Sequence, residues 1–197
     1  MSASDRPCVV IDTNVLMVAE GNFPEASDLC LASCVDLAMK VENGLAVALD
    51  SGDEIVNEYL TALKSTKRSG LATKLVTKLY RLRQNPNSDI VRSVSITRSD
   101  DPPGSYEEVP TQLRDFDLDD QKFIAVAAAE ASRPQIHTAV DGEWWTRRRD
   151  FAEAGIDVQF ACTGDFLGVG NAAPASEESV PQTGKDQRKR PTRRKRH

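Results

Sequence analysis

The stretch Cys8-Val9-Val10-Ile11-Asp12-Thr13-Asn14 constrains the chain most. Cys8 to Ile11 form a continuous apolar run rich in β-branched side chains, which predicts a short strand buried on both faces, as inside a parallel sheet. Asp12 closes the run. A carboxylate there lies at the sheet edge where open α/β folds bind ligands, and it can hold a cation. It can equally cap the helix that follows. Other carboxylates must converge on it before a site is credible.

The rest of the chain alternates in the same way. Val15 to Glu20 begins a helix that breaks near Gly21 and Pro24. Asp28 to Asn43 keeps a helical period through Leu29, Ala32, Val35, Ala38 and Met39, with Asp28 as N-cap and Gly44 past the end. Leu45 to Leu49 reads as a second strand, and Ser51-Gly52-Asp53-Glu54 as a capping box opening a helix through Leu63. A helix over Leu71 to Arg83, a strand over Ile90 to Ile96 and a loop from Arg98 to Pro110 follow. A helix over Asp117 to Ala131, a strand over Ile136 to Val140, a helix over Glu143 to Ala154 and a strand over Ile156 to Ala161 complete the pattern. Such alternation predicts an α/β fold with a mainly parallel sheet and helices on both faces.

A length of 197 residues suits one domain and a tail. Cys8, Cys30, Cys34 and Cys162 form no C-x-x-C pair and the histidines are His137 and His197 alone, which argues against a zinc site. Cys30 and Cys34, one turn apart on a helix, read as small buried hydrophobes. The start does not resemble a signal peptide and no apolar run reaches membrane-spanning length, so the expectation is a soluble, cytoplasmic protein with no membrane partner. The net charge of −5 hides an asymmetry: from Lys185 onward eight basic residues face one acid, leaving 17 basic and 29 acidic residues elsewhere, a balance of −12. Residues 169–197 are too polar to bury a core and are expected to form a disordered basic tail. Its Arg188, Lys189, Arg190, Arg193, Arg194, Lys195 and Arg196 suit an arm that binds RNA phosphates through charge, or a solvated tail that folds back on the acidic body.

In a parallel sheet the strand ends and the first turns after them share one rim. That rim selects Asp12, then Glu54 and Glu58 one turn apart, then Asp117, Asp119 and Asp120, and finally Asp141. Each has a plain structural use, because acids are favoured in first turns by the helix dipole. Crowded together they repel one another unless a cation neutralises them. Oxygen ligands without His or Cys point to Mg²⁺ or Mn²⁺, ions that activate water and clamp phosphate oxygens. The chemistry suggested is that of a metal-dependent nuclease.

The ordered set Val9-Val10-Ile11-Asp12-Thr13-Asn14-Val15-Leu16, Glu58-Tyr59-Leu60, Asp117-Leu118-Asp119-Asp120-Gln121-Lys122-Phe123-Ile124-Ala125 and Thr138-Ala139-Val140-Asp141 resembles the PIN domain family. Ile156-Asp157-Val158 and Gly164-Asp165-Phe166-Leu167 look like that family's last strand and C-terminal turn. The resemblance spans roughly residues 7 to 168 and implies a three-layer α/β/α Rossmann-like PIN domain over residues 1–168. It implies a divalent-metal endoribonuclease with Asp12, Glu58, Asp120 and Asp141 as both catalytic residues and metal ligands. Asn14 would support the site, with Asp117 in reserve for Asp120. Ala139 departs from the family pattern, which has Thr two residues before the last Asp; here Thr138 comes one residue earlier. The implied settings are a toxin of a toxin–antitoxin pair, a defence nuclease or an RNA-processing factor, with RNA, an antitoxin or other regulatory protein, and a second copy of the chain as partners. The alternative is a PIN-like module that binds RNA or protein without cutting. Haloacid-dehalogenase-type phosphatases also place an Asp after the first strand, but need a second Asp where this chain has Asn14. Of Trp144 and Trp145, at least one is expected in the core; His137 is expected to be a packed residue, and Arg147 to Arg149 a solvated face.

Overall fold

The computed structural model describes residues 7–64 and 69–162. Gly164 to Leu167 and the basic residues from Lys185 to Arg196 lie outside the described residues, so the expectations for the C-terminal turn and the RNA-binding arm are not addressed by it.

Five strands form one sheet: β1 (Cys8–Ile11), β2 (Ala46–Asp50), β3 (Val91–Val94), β6 (Gln135–Thr138) and β7 (Val158–Phe160). Their order is β3-β2-β1-β6-β7 and every pairing is parallel, as the alternation predicts. β1 and β2 are buried at every residue, which is why they are apolar up to Ile11 and Leu49, whereas the outer strands β3 and β7 are only partly buried. Helices α1 (Thr13–Ala19), α2 (Asp28–Glu42), α3 (Glu54–Lys64) and α4 (Leu71–Leu82) pack on one another, while α5 (Gln121–Ala129) lies against β1, β2 and β6. The result is a Rossmann-like three-layer α/β fold. Among the described residues no helix is long and apolar enough to cross a membrane.

The chain leaves β1 toward β2 and β3, then returns to lay β6 on β1's other side. β1 and β6 therefore flank the switch point, where the carboxyl ends of an open α/β sheet leave a crevice.

Several local expectations are corrected. The segment from Arg98 to Pro110 is not wholly loop: β4 (Arg98–Asp100) and β5 (Pro103–Tyr106) form an antiparallel hairpin closed by a cis Asp101–Pro102 bond, with Gly104 at φ +91°. Three prolines and a glycine concealed it because its pairing is short and local. The helix expected over Glu143 to Ala154 is two, α6 (Gly142–Thr146) and α7 (Arg148–Glu153). Leu29 and Met39 of α2 are 81% and 44% exposed, and the buried stripe is Cys30, Cys34, Leu37, Ala38 and Val41. Its N-cap is Ser27, whose hydroxyl accepts from the Cys30 amide, rather than Asp28. Cys34 is a small buried residue as expected, but Cys30 is bonded to Cys162, 132 residues away.

The carboxylates that open α3 and α4 come from elsewhere in the chain. Asp50, at the end of β2 and 3% exposed, accepts the amides of Glu54 and Ile55 at 2.8 Å each, replacing the capping box expected at Ser51 to Glu54. Glu20 accepts from the Gly70 amide at 2.6 Å and from the amide and hydroxyl of Thr73. Asp50→Ala leaves two buried amides without partners and is expected to cost about 2 kcal/mol, read as a lower urea midpoint at unchanged slope.

Trp144 is fully buried, stacked on Phe151 with Phe116 edge-on, and so belongs to the core. Trp145 meets Phe160 edge-on beneath Arg148. Arg147 is not a solvated residue: it binds Asp150, Asp115 at 2.8 Å and the Gln112 carbonyl, tying α7 to the turn at Thr111–Leu113. His137 lies in β6, and burial holds its pKa below the usual value.

Candidate functional site

Asp12 follows β1 at the switch point and is 3% exposed. Its extended backbone ends the strand, its amide donates to the His137 carbonyl of β6 at 2.9 Å, and its Oδ1 accepts from the Asn14 amide at 3.3 Å. It therefore caps α1. The capping and site readings are compatible, because its Oδ2 is held separately, by the Thr138 hydroxyl at 2.8 Å and by the Asn14 side-chain amide. Asn14 Oδ1 in turn accepts from the Ala139 amide at 2.8 Å. This network joins the first turn of α1 to the end of β6 and sets the orientation of Asp12. Thr138, out of the expected register by one residue, still reaches the carboxylate.

Three further acids reach this point. Tyr59, fully buried in α3, donates its hydroxyl to the Ile11 carbonyl and so holds α3 beside the end of β1. Glu58 is thereby presented to the crevice, where it accepts from the Thr13 hydroxyl. Asp141 caps α6, accepting from the Glu143 amide at 2.8 Å. Asp120 precedes α5, and its side chain makes no capping bond.

The four carboxylates act on one another. Burial pushes Asp12 up to about 7 against the hydrogen bonds of Thr138 and Asn14, and the charges of Asp141 and Glu58 add to the rise. Burial pushes Asp120 up to about 8, with Asp12, Asp141 and Glu58 raising it and Lys122 opposing them. Asp12, Glu58, Asp120 and Asp141 therefore share one electrostatic neighbourhood.

The other acids do different work. Glu54 lines the same cavity as Glu58, as their spacing of one turn predicts, but it is already engaged: it pairs with Arg98 and accepts from the Tyr106 hydroxyl at 2.7 Å. Asp117 and Asp119 are exposed, and Asp117 Oδ1 accepts the Asp119 amide at 3.0 Å in the turn before α5.

The chemistry of this donor set fits a hard divalent cation, which favours carboxylate oxygens and relieves their repulsion. Among the described residues, the group of close-set ligand side chains is Cys30, Cys34 and Cys162, whose sulfurs lie within 4.8 Å of one another and two of which are already bonded together. The four acids do not form such a group, so they do not make a closed cage by themselves.

Lys122 was not among the expected site residues. It is 7% exposed, and its Nζ lies 2.5 Å from Glu58 Oε2. A signal for it existed in the sequence: a cation in the first turn of a helix opposes the helix dipole and needs a specific anion. Thr13 carried no such signal, since hydroxyls beside strand ends are common, and Thr138 was marked by the family resemblance alone, one residue out of register.

Comparison with known proteins finds no matching family model, no matching curated protein and no matching solved structure.

Proposed function

We propose that this chain is a divalent-metal-dependent endoribonuclease of the PIN type. One observation carries the reading: the charges of Asp141 and Glu58 raise both the buried Asp12 and the half-buried Asp120, far apart in sequence, and Asp12 raises Asp120 as well. A fold gains nothing from such repulsion, whereas a cation site needs it. Asp12, Glu58, Asp120 and Asp141 would hold Mg²⁺ or Mn²⁺. When bound, the ion supplies an activated water and charge stabilisation at the phosphate oxygens. Asn14 and Thr138 keep Asp12 in one rotamer, and Tyr59 keeps Glu58 at the strand end.

The basic arm from Arg188 to Arg196 would add sequence-independent affinity for RNA. A regulatory protein of the antitoxin kind, a second copy of the chain and a cytoplasmic setting belong to the same proposal. A disulfide is unusual in a reducing compartment, so the Cys30–Cys162 bond counts against the cytoplasmic part of this reading.

Incubation with total RNA, with Mn²⁺ or with chelator, tests the reading. Cleavage is expected only with the metal, and Asp12→Asn or Asp120→Asn should lower it by about 10³-fold without unfolding the protein. Undiminished cleavage by Asp12→Asn would sink the reading. Metal uptake without cleavage of any RNA would favour the non-cutting module.

A further inference from the structure

We propose that Lys122 is a resident counter-ion of the carboxylate centre, which gives up Glu58 to the incoming divalent ion and turns to a phosphate of the RNA strand. The inference rests on the nuclease reading above and names how its site recognises substrate.

Lysine is seldom buried without a partner, and here the partners are specific. The Nζ meets Glu58 Oε2 at 2.5 Å, donates to the Asp119 carbonyl and lies 4.9 Å from the centroid of the Phe123 ring. Glu58 Oε1 is engaged by the Thr13 hydroxyl. Both oxygens of Glu58 are therefore in use, and an ion that takes the lysine-bound oxygen must displace the ammonium. A divalent ion carries the greater charge and wins that contest when its other ligands are in reach.

The displaced ammonium has a destination. Lys122, Glu58 and Asp119 line a cavity of about 320 Å³ that Glu54 and, from the hairpin, Arg98 and Tyr106 line as well. Lysine binds phosphate as a point charge on a flexible four-carbon stem, so its Nζ can swing into this space without any backbone change. A phosphate there would lie between Lys122 and Arg98 and would compete with Glu54 for the guanidinium. Metal entry and strand binding then assist one another, since each stabilises the rotamer that the other requires.

The test counts Mn²⁺ binding to full-length protein from the electron paramagnetic resonance of the free ion, in parallel with RNA cleavage. Lys122→Met keeps the stem and removes the charge. It is expected to bind Mn²⁺ about tenfold more tightly, because the competitor for Glu58 is gone, while cleavage falls by about 100-fold. Lys122→Gln should move both readings the same way, and serves if the Met variant does not fold. A lysine that only supports the fold or helps to build the metal site would give equal or weaker Mn²⁺ binding on removal, and that result overturns the exchange. Wild-type protein that takes up no Mn²⁺ at all overturns the nuclease reading itself, so the two failures are distinguishable.

Discussion

Metal-free protein is expected to melt about 10 °C higher near pH 5 than near pH 8, and millimolar Mn²⁺ is expected to remove most of that difference. Asp12 and Asp120 are raised from an ordinary value of 3.8 to about 7 and about 8. A carboxylate raised on folding binds its proton more tightly in the native state, so its contribution is most favourable below the unfolded pKa and declines as pH rises from that value to the native pKa. The window therefore runs from about 4 to about 8. Burial is the first cause of both rises, and together they correspond to a loss of several kcal/mol across the window. Glu143, raised by burial and by the charge of Asp117, adds to the trend. His137, lowered by burial, works against it. Glu20 lies below its ordinary 4.5: hydrogen bonds from Gly70 and Thr73 outweigh its burial, so its stabilising share is lost only at more acid pH. A divalent ion bound at a hundred times its Kd adds about 2.7 kcal/mol. That gain should appear near pH 8 and fade near pH 5, where protons compete for the same oxygens. Melting curves at the two pH values, with and without Mn²⁺, measure both effects. A flat pH profile with no Mn²⁺ response would mean that these acids do not share a site.

Loss of the Cys30–Cys162 bond is the second large effect. The bond ties α2 to the residue just beyond β7 and closes a loop of 132 residues. Cross-linking so long a segment restricts the unfolded chain, which corresponds to about 5 kcal/mol in the chain-entropy account and to about 3 to 5 in practice. Cys162→Ser, or the wild type unfolded with a dithiol reductant, is expected to lose that stability, seen as a lower denaturant midpoint. Thiol titration of the denatured, unreduced chain should count two free groups, Cys8 and Cys34, of the four cysteines. A count of four, or a midpoint indifferent to reductant, would refute the bond.

The sequence by itself determined the alternation of strand and helix. An apolar run such as Cys8 to Ile11 needs cover on both faces, and only a central parallel strand supplies it. It also marked the rim at Asp12 and Asp141, which follow strands, and offered Glu58 and Asp120 near the starts of helices. Which acids cap helices and which face the crevice was not legible. Glu54 and Glu58 are one turn apart on the same helix, yet a hairpin hidden in a proline-rich segment brings Arg98 and Tyr106 to Glu54 alone. Glu20 opens α4 from fifty residues away, through a bond that no local pattern encodes. The buried stripe of α2, the Cys30–Cys162 bond and the ion pair of Lys122 with Glu58 likewise join segments far apart in sequence. Periodicity reports how a residue faces its own element, whereas a partner across the fold depends on strand order, and in this protein the return of β6 to the far side of β1 set those meetings.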